Sequence, residues 1–340
     1  MLSLAIPSEG QLYEPALAFL AACGMPVHRP SSRRYTGAIP RMGDAVVLFQ
    51  RSADITPKIE EGSTDMGIVG LDRYMEYHKE GGDATLLMDD LGFGSCRVVV
   101  AVPDSWVDVT SIDDLADLSL EFHQKGREFR VVTMYPRLVN RFFLAHGVNY
   151  YSLVPAAGTL ESAPASGYAD LIVDVTSTGT TLRENHLKPI QGGTVLASQA
   201  CFVGNRRLLV RDETSLRWAR AILERMEGHI RAGSVYRLTA NVRGLSAEEV
   251  AQKVLRRREL AGLQGPTVSP VFSAEDGWYS VSLVVPGERL LEGVEHLREV
   301  GATDISTAQV SYLFKNRCQA YERLLASQRG AGAPDVPGQA

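Results

Sequence analysis

Five hydroxyl residues and a glycine lie between Asp174 and Leu182 in the stretch DVTSTGTTL, directly behind the apolar run ADLIV. A buried strand that ends in such a loop and runs on into the helix-like TLRENHL offers unpaired N–H groups and several hydroxyl donors. Those are the parts of an anion cradle. Gly179 lets the backbone approach the anion, while Ser177, Thr178, Thr180 and Thr181 can donate without carrying charge. One Ser or Thr would suffice for an ordinary helix N-cap, which is the competing reading. Two acidic groups within reach of the same crevice, Asp174 at the strand end and Glu161 in GTLESAP, favour the cradle. Ionised carboxylates accept strong hydrogen bonds from sugar hydroxyls, so a sugar phosphate fits this set better than bare phosphate. No GxxxxGK[ST] sequence occurs there.

The elements that must position these groups are short. LSLAI, AVVLF, DMGIVG, CRVVVAVP, FRVVT, YSLVP and ADLIVDV alternate with helix-like segments through the first two thirds of the chain. That alternation predicts an α/β architecture with largely parallel, buried strands. Pro136 after Tyr135 and Gly147 after LVNRFFLAH bracket one helix with the usual Pro-in, Gly-out asymmetry. Residues 213–230 read as a long amphipathic helix. Beyond RAGS the order becomes strand, helix, strand, strand, helix, strand, the βαββαβ plan of a ferredoxin-like domain. The final segment starts as a short helix and ends in a Gly, Ala and Pro tail with little apolar surface to order it.

With 340 residues, 45% hydrophobic, and a net charge of -5, the chain can bury two or three domain cores. Its Lys and Arg are scattered, which argues against nucleic acid and anionic membrane surfaces as partners. The amino terminus lacks a basic region before a short apolar stretch, and no run of about 20 apolar residues occurs, so the expected location is the cytoplasm. Cys23, Cys96, Cys201 and Cys318 are far apart and read as reduced, partly buried thiols. No triad, paired-carboxylate signature or HExxH is present. His28, His78, His123, His146 and His186 read as structural or surface residues rather than bases.

ADLIVDVTSTGTTLRENHL resembles the phosphoribosyl-pyrophosphate motif of the ATP phosphoribosyltransferases, the enzymes of the first step of histidine biosynthesis. TDMGIVGLD (64–72), DDLGFGSCRVVVAVP (89–103), VVTMYPRLVNRFF (131–143) and AGTLESAP (157–164) resemble that family's other blocks, in the same order. The resemblance implies a catalytic part of two periplasmic-binding-protein-like lobes with the site between them. It divides the chain into lobe I (1–100 and 183–230), lobe II (101–182), a ferredoxin-like regulatory domain (234–312) and a helix with a disordered tail (313–340). It further implies a homo-hexamer built from dimers, inhibited by histidine.

By matching position, the resemblance assigns the 5-phosphate of phosphoribosyl pyrophosphate to Val175, Thr176, Ser177, Thr178, Gly179, Thr180 and Thr181, and the ribose hydroxyls to Glu161 and Asp174. Arg51, with Gly67 and Gly70 of GIVG and Gly92 and Gly94 of LGFGS, would line the facing lobe. Tyr135 and Arg137 would stand on the other wall. Adenine N1 of ATP would attack C1 of the ribose as pyrophosphate leaves with Mg²⁺, a reaction that asks for positioning and charge neutralisation more than for acids and bases. Thr267, Ser306 and Thr307 match the segments where the family holds histidine.

One departure stands out. Where the family usually has PxKGR after its first strand, this chain has PSEGQ, with Glu9 in the place of Lys and Gln11 in the place of Arg. Arg41 or Lys58 could compensate, or Mg²⁺ could sit differently. A catalytically silent, regulatory paralogue is the alternative, and a ligand-binding module without catalysis is a further one.

Overall fold

The computed structural model describes residues 2–43, 45–156, 159–272 and 277–328. It forms two compact units, one taking the chain to Arg220 and again from Ala320, the other Ala221–Gln319.

The first unit opens with β1 (Leu2–Pro7), α1 (Tyr13–Ala22), β2 (Thr36–Ala38), β3 (Ala45–Gln50), α2 (Ser52–Glu60), β4 (Met66–Gly70), α3 (Leu71–Tyr77) and β5 (Ala84–Met88). The chain then leaves for β6 (Cys96–Pro103), α4 (Ile112–Gln124), β7 (Arg130–Thr133), α5 (Pro136–Ala145), β8 (Ser152–Val154), β9 (Leu171–Thr176), α6 (Thr180–Glu184) and β10 (Leu187–Ser198), and returns with β11 (Ala200–Asn205). Two sheets result, in the orders β2-β3-β1-β4-β11-β5 and β10-β6-β9-β7-β8. This is the two-lobed, periplasmic-binding-protein-like plan. The two crossings between the sheets are bonded to each other, Leu91 N–H to the Ala200 carbonyl and Ala200 N–H to the Phe93 carbonyl, both at 2.9 Å.

Strand β6 explains why the sequence reads as an unbroken apolar run. Both faces are covered, so every residue from Val98 to Val102 is buried. The same holds for Leu171, Ile172 and Val173 on β9, whose buried stretch ends just before Asp174.

Two expectations need correction. The sheets are mixed: β11 in the first sheet and β6 in the second enter from the other sheet and run antiparallel to both neighbours, and β2 runs antiparallel to β3. The lobe boundaries also move. Residue 100 falls inside β6, which belongs wholly to the second sheet, and β10 pairs with β6 rather than returning to lobe I. The crossings therefore lie at 89–95 and at Gln199. Strand pairing is non-local, so the run CRVVVAVP announces a strand without saying which sheet holds it.

Helix α7 (Glu213–Ala232) runs through the division at Arg220. The second unit continues with β12 (Val235–Arg243), α8 (Ala247–Val254), β13 (Thr267–Pro270), β14 (Trp278–Pro286), α9 (Leu290–Glu299) and β15 (Ala302–Gln309). This is the expected βαββαβ order, folded as an antiparallel sheet β13-β14-β12-β15. Leu238, Ala240 and Val242 alternate inward with Val281, Leu283 and Val285 and pack against Val250, Val254 and Leu297 from the helices. The first helix of this plan, within SAEEVAQKVLRRREL, is short: α8 ends at Val254, and Arg257 in the following 3-10 segment has φ -113 and ψ 80. The short helix expected near the end is α10 (Gln319–Ser327), whose Arg323 reaches Asp89 at 3.0 Å. The expected disordered tail, 329–340, lies outside the described residues.

Candidate active site

The loop after β9 closes on itself. Gly179 adopts φ 73, a left-handed conformation that favours glycine, and starts α6. Its N–H donates to Thr176 Oγ1 at 3.0 Å, and the hydroxyls of Thr178 and Thr180 lie 3.0 Å apart. The hydroxyls of Ser177 and Thr181 engage no other described group, which leaves them available to a ligand. Arg183, one turn into α6, folds back over this loop. Its guanidinium donates to the Thr178 carbonyl at 3.3 Å and to Thr180 Oγ1 at 3.2 Å. The cradle is therefore not uncharged: a cation the sequence reading passed over borders it.

Asp174 is half-buried, and burial pushes its carboxyl up to about 6, with the nearby Glu161 and Asp72 carboxylates adding to the rise. The Val175 N–H, donating to Asp174 Oδ1 at 2.7 Å, and the Arg73 guanidinium act in the opposite direction. Glu161 sits on a 3-10 turn, Leu160–Ser162. Ala157 and Gly158 of that block lie outside the described residues. The arrangement joins a hydroxyl loop, a cation and two carboxylates, which suits a phosphate ester on a polyhydroxylated ring.

Beneath this cluster, Asp72 accepts from the Tyr135 hydroxyl at 2.7 Å and from the Ser198 hydroxyl at 2.6 Å. Arg73 lies 4.4 Å from the Tyr135 ring centroid and donates to the Met134 carbonyl at 3.2 Å. Tyr135 is only 2% exposed, and burial together with Asp72 pushes its phenol well up. Arg137 turns away to the His78 carbonyl and, at 3.9 Å, to Glu80. Tyr135 and Arg137 stand at the start of α5, as expected, and both tie one lobe to the other.

On the first sheet, Glu9, Tyr35, Phe49, Arg51, Asp54 and Lys58 line a cleft of about 480 Å³. Arg51 is exposed and precedes the first residue of α2 with φ -65 and ψ 139. Lys58 thus shares a cleft with Glu9, as compensation requires; the side chain of Arg41 lies outside the described residues. Gly67 and Gly70 are buried, and close packing explains them. A Cβ at Gly67 would meet Ile55 at 2.8 Å, and one at Gly70 would meet Asp72 Oδ1 at 2.4 Å. Gly92 (φ 81) and Gly94 (φ 74) turn the chain at the first crossing, where the Gly92 N–H donates to Asp90 at 2.7 Å.

Residues 51–228 match the ATP phosphoribosyltransferase (HisG) family, and residues 232–312 match its C-terminal domain (HisG_C). The chain belongs to the ATP phosphoribosyltransferase family. It is 37% identical over 331 residues to ATP phosphoribosyltransferase 2, chloroplastic, of Arabidopsis thaliana, covering 95% of this chain and 80% of that one. It is 35% identical over 330 residues to the ATP phosphoribosyltransferase of Nitrobacter hamburgensis, covering 96% and 98%. Among solved structures, the ATP phosphoribosyl transferase (HisG:HisZ) complex from Thermotoga maritima superposes with a TM-score of 0.50 at 26% identity, over 67% of this chain and 99% of that one. The enzyme class that follows is pentosyl transfer.

In this phosphoribosyltransferase the expected histidine contacts lie on a cross-strand row of the second unit. Thr267 pairs with Ser282, Ser282 with Thr239, and Thr239 with Ser306, so four hydroxyl residues share one face from edge to edge. Thr307 departs from that row. It pairs with buried Leu238 and belongs to the helix-covered face, because neighbouring residues on a strand alternate.

Arg183, Arg73, Asp72 and Glu76 are the residues that sequence reasoning missed. Arg183 and Asp72 both stand inside the quoted blocks. What could not be read was the fold-back of one and the lobe-bridging of the other. No helix among the described residues is long and apolar enough to cross a membrane.

Proposed function

We propose that the chain transfers the phosphoribosyl group of phosphoribosyl pyrophosphate to N1 of ATP, releasing pyrophosphate, with the β9–α6 junction as the donor site. The observation that carries this reading is the convergence of the Ser177–Thr181 loop and Arg183 on one side with Asp174 and Glu161 on the other. The loop and Arg183 hold the 5-phosphate. Asp174 and Glu161 accept hydrogen bonds from the ribose diol. As the N1–C1 bond forms and the C1–oxygen bond to pyrophosphate breaks, positive charge develops on the ribose ring, and the ionised Asp174 stabilises it. Binding and alignment do the rest.

ATP occupies the cleft on the first sheet, where Arg51 and Lys58 meet its phosphates through charge-assisted contacts. Among the described residues no group of three or more His, Cys, Asp or Glu side chains could hold a metal ion. In this reading Mg²⁺ enters as the companion of the polyphosphate substrates. The second unit binds histidine on the Thr267–Ser306 row and makes the enzyme feedback-sensitive, in a cytoplasmic homo-hexamer built from dimers. Because Thr267 and Ser306 occupy opposite edges of a four-stranded sheet, a ligand the size of histidine touches one edge of a given chain at a time.

The test is product absorbance with ATP, phosphoribosyl pyrophosphate and Mg²⁺, with pyrophosphatase added, alongside calorimetry of phosphoribosyl pyrophosphate. Asp174→Ala should weaken donor binding sharply; equal affinity would remove that carboxylate from the site. Glu9 in the nucleotide cleft favours the second reading, a silent regulatory subunit. It gains if donor binding is intact and no product forms.

A further inference from the structure

Helix α3 carries two buried carboxylates one turn apart, Asp72 and Glu76, each 6% exposed. Both reach the segment of the second sheet that runs from the end of β7 into α5. Glu76 accepts from the N–H groups of Arg137 and Leu138 at 2.9 and 3.0 Å, capping the start of α5 across the lobe junction. Asp72 receives the hydroxyls of Tyr135 and Ser198, and the Asp72 N–H returns a bond to Ser198 Oγ at 3.0 Å. From Tyr135 the bonding continues. Its N–H donates to Thr133 Oγ1 at 3.0 Å, and the Thr133 hydroxyl donates to the Val173 carbonyl at 2.7 Å. Val173 immediately precedes Asp174.

A buried carboxylate is costly to desolvate, and packed apolar side chains would fill the same space with less penalty. Both Asp72 oxygens are taken by side-chain donors, so it is not presented to a substrate. What the bonds do is fix the Tyr135 backbone, and through Thr133 the β9 strand end, against α3.

We propose that Asp72 is a positioning residue that sets the placement of Asp174 through the Tyr135–Thr133–Val173 chain of hydrogen bonds. The inference rests on the reading of Asp174 as the ribose contact. The charged and titratable groups facing Asp174 are Glu161 from its 3-10 turn, Asp72 and Arg73 from α3, and Tyr135 ahead of α5. Those facing Asp72 are Arg73, Tyr135, Cys96 and Cys201. Loss of the Asp72 charge removes a repulsive neighbour of Asp174, so the Asp174 carboxyl titrates lower.

The experiment compares Asp72→Asn, Tyr135→Phe, their double mutant and Asp174→Asn by pH profile, by KM for each substrate, and by thermal melting. Asp72→Asn should move the acid limb of kcat/KM for phosphoribosyl pyrophosphate to lower pH. It should also raise KM for that substrate about tenfold while KM for ATP stays within twofold. The double mutant should lose no more than the worse single mutant, since both sever one connection. A lowered melting temperature with an unmoved limb and an unmoved donor KM overturns the proposal and leaves Asp72 a structural residue. If Asp174→Asn keeps wild-type donor affinity and the acid limb, the underlying assignment of Asp174 fails instead. If Asp72→Asn does not fold, Tyr135→Phe and Thr133→Val each remove a single hydroxyl from the chain of bonds, leave the Asp72 charge in place and decide the matter by the same KM split: an unmoved donor KM in both overturns the proposal.

Discussion

Arg183 Nη2 stands 3.2 Å from Thr180 Oγ1, so the loop that reads as neutral in sequence is held by a guanidinium. Hydrogen bonds to charged groups contribute about 1.5–3 kcal/mol. Arg183→Leu should therefore weaken phosphoribosyl pyrophosphate binding about tenfold or more in calorimetry, and Arg183→Lys should recover part of the loss. Thr180→Ala removes one neutral bond and should cost about 1 kcal/mol. Unchanged affinity in Arg183→Leu would assign the guanidinium to loop structure alone.

The Asp174 carboxyl, raised from 3.8 to about 6, gives a pH dependence with a definite sign. Between those values the folded chain holds a proton that the unfolded chain has released, so the Asp174 contribution to stability falls as pH rises through the window. Activity should rise over the same interval, because the ionised form clasps the diol. Glu161→Gln removes a repulsive neighbour and should shift the acid limb of kcat/KM downward. A limb that stays in place would separate Glu161 from Asp174.

Glu9 shares its cleft with Arg51 and Lys58. A carboxylate at a solvated distance of about 4 Å from a phosphate repels it by about 1 kcal/mol. Glu9→Lys should then lower KM for ATP about fivefold or more in steady-state assays without changing KM for the phosphoribosyl donor. A rise in KM for ATP would show that Glu9 is a favourable contact.

The hydroxyl row of the second unit separates two adjacent residues. Ser306→Ala should blunt histidine inhibition in dose–response curves, whereas Thr307→Ala, on the opposite face, should leave it within twofold. Equal effects would remove the row from histidine recognition.

Gly67→Ala places a methyl group 2.8 Å from Ile55 Cγ2 and 3.0 Å from the Ala5 carbonyl. Overpacking of this kind costs about 1–3 kcal/mol. A lower melting temperature with unchanged KM values is expected, and a selective rise in KM would return this glycine to the ligand.

Residue chemistry near the loop was legible because it is local: hydroxyls, a glycine and a carboxylate in nine consecutive positions. The βαββαβ order was legible for the same reason, since each element carries its own periodicity. Strand β10 was not, because Pro189, Gly192 and Gly193 interrupt its apolar pattern. In the fold they are absorbed by a register irregularity between Pro189 and Thr194. The packing of GIVG was not legible either, since its neighbours Ile55, Ala5 and Asp72 come together only in the fold. Asp72 itself gave no signal, since its partners Tyr135 and Ser198 are 63 and 126 residues away.

The mutual bonding of Leu91, Phe93 and Ala200 has a mechanical corollary. Segment 89–95 and the first residue of β11 are joined by two rungs on one residue, so a slip of either connection past the other would break both bonds together.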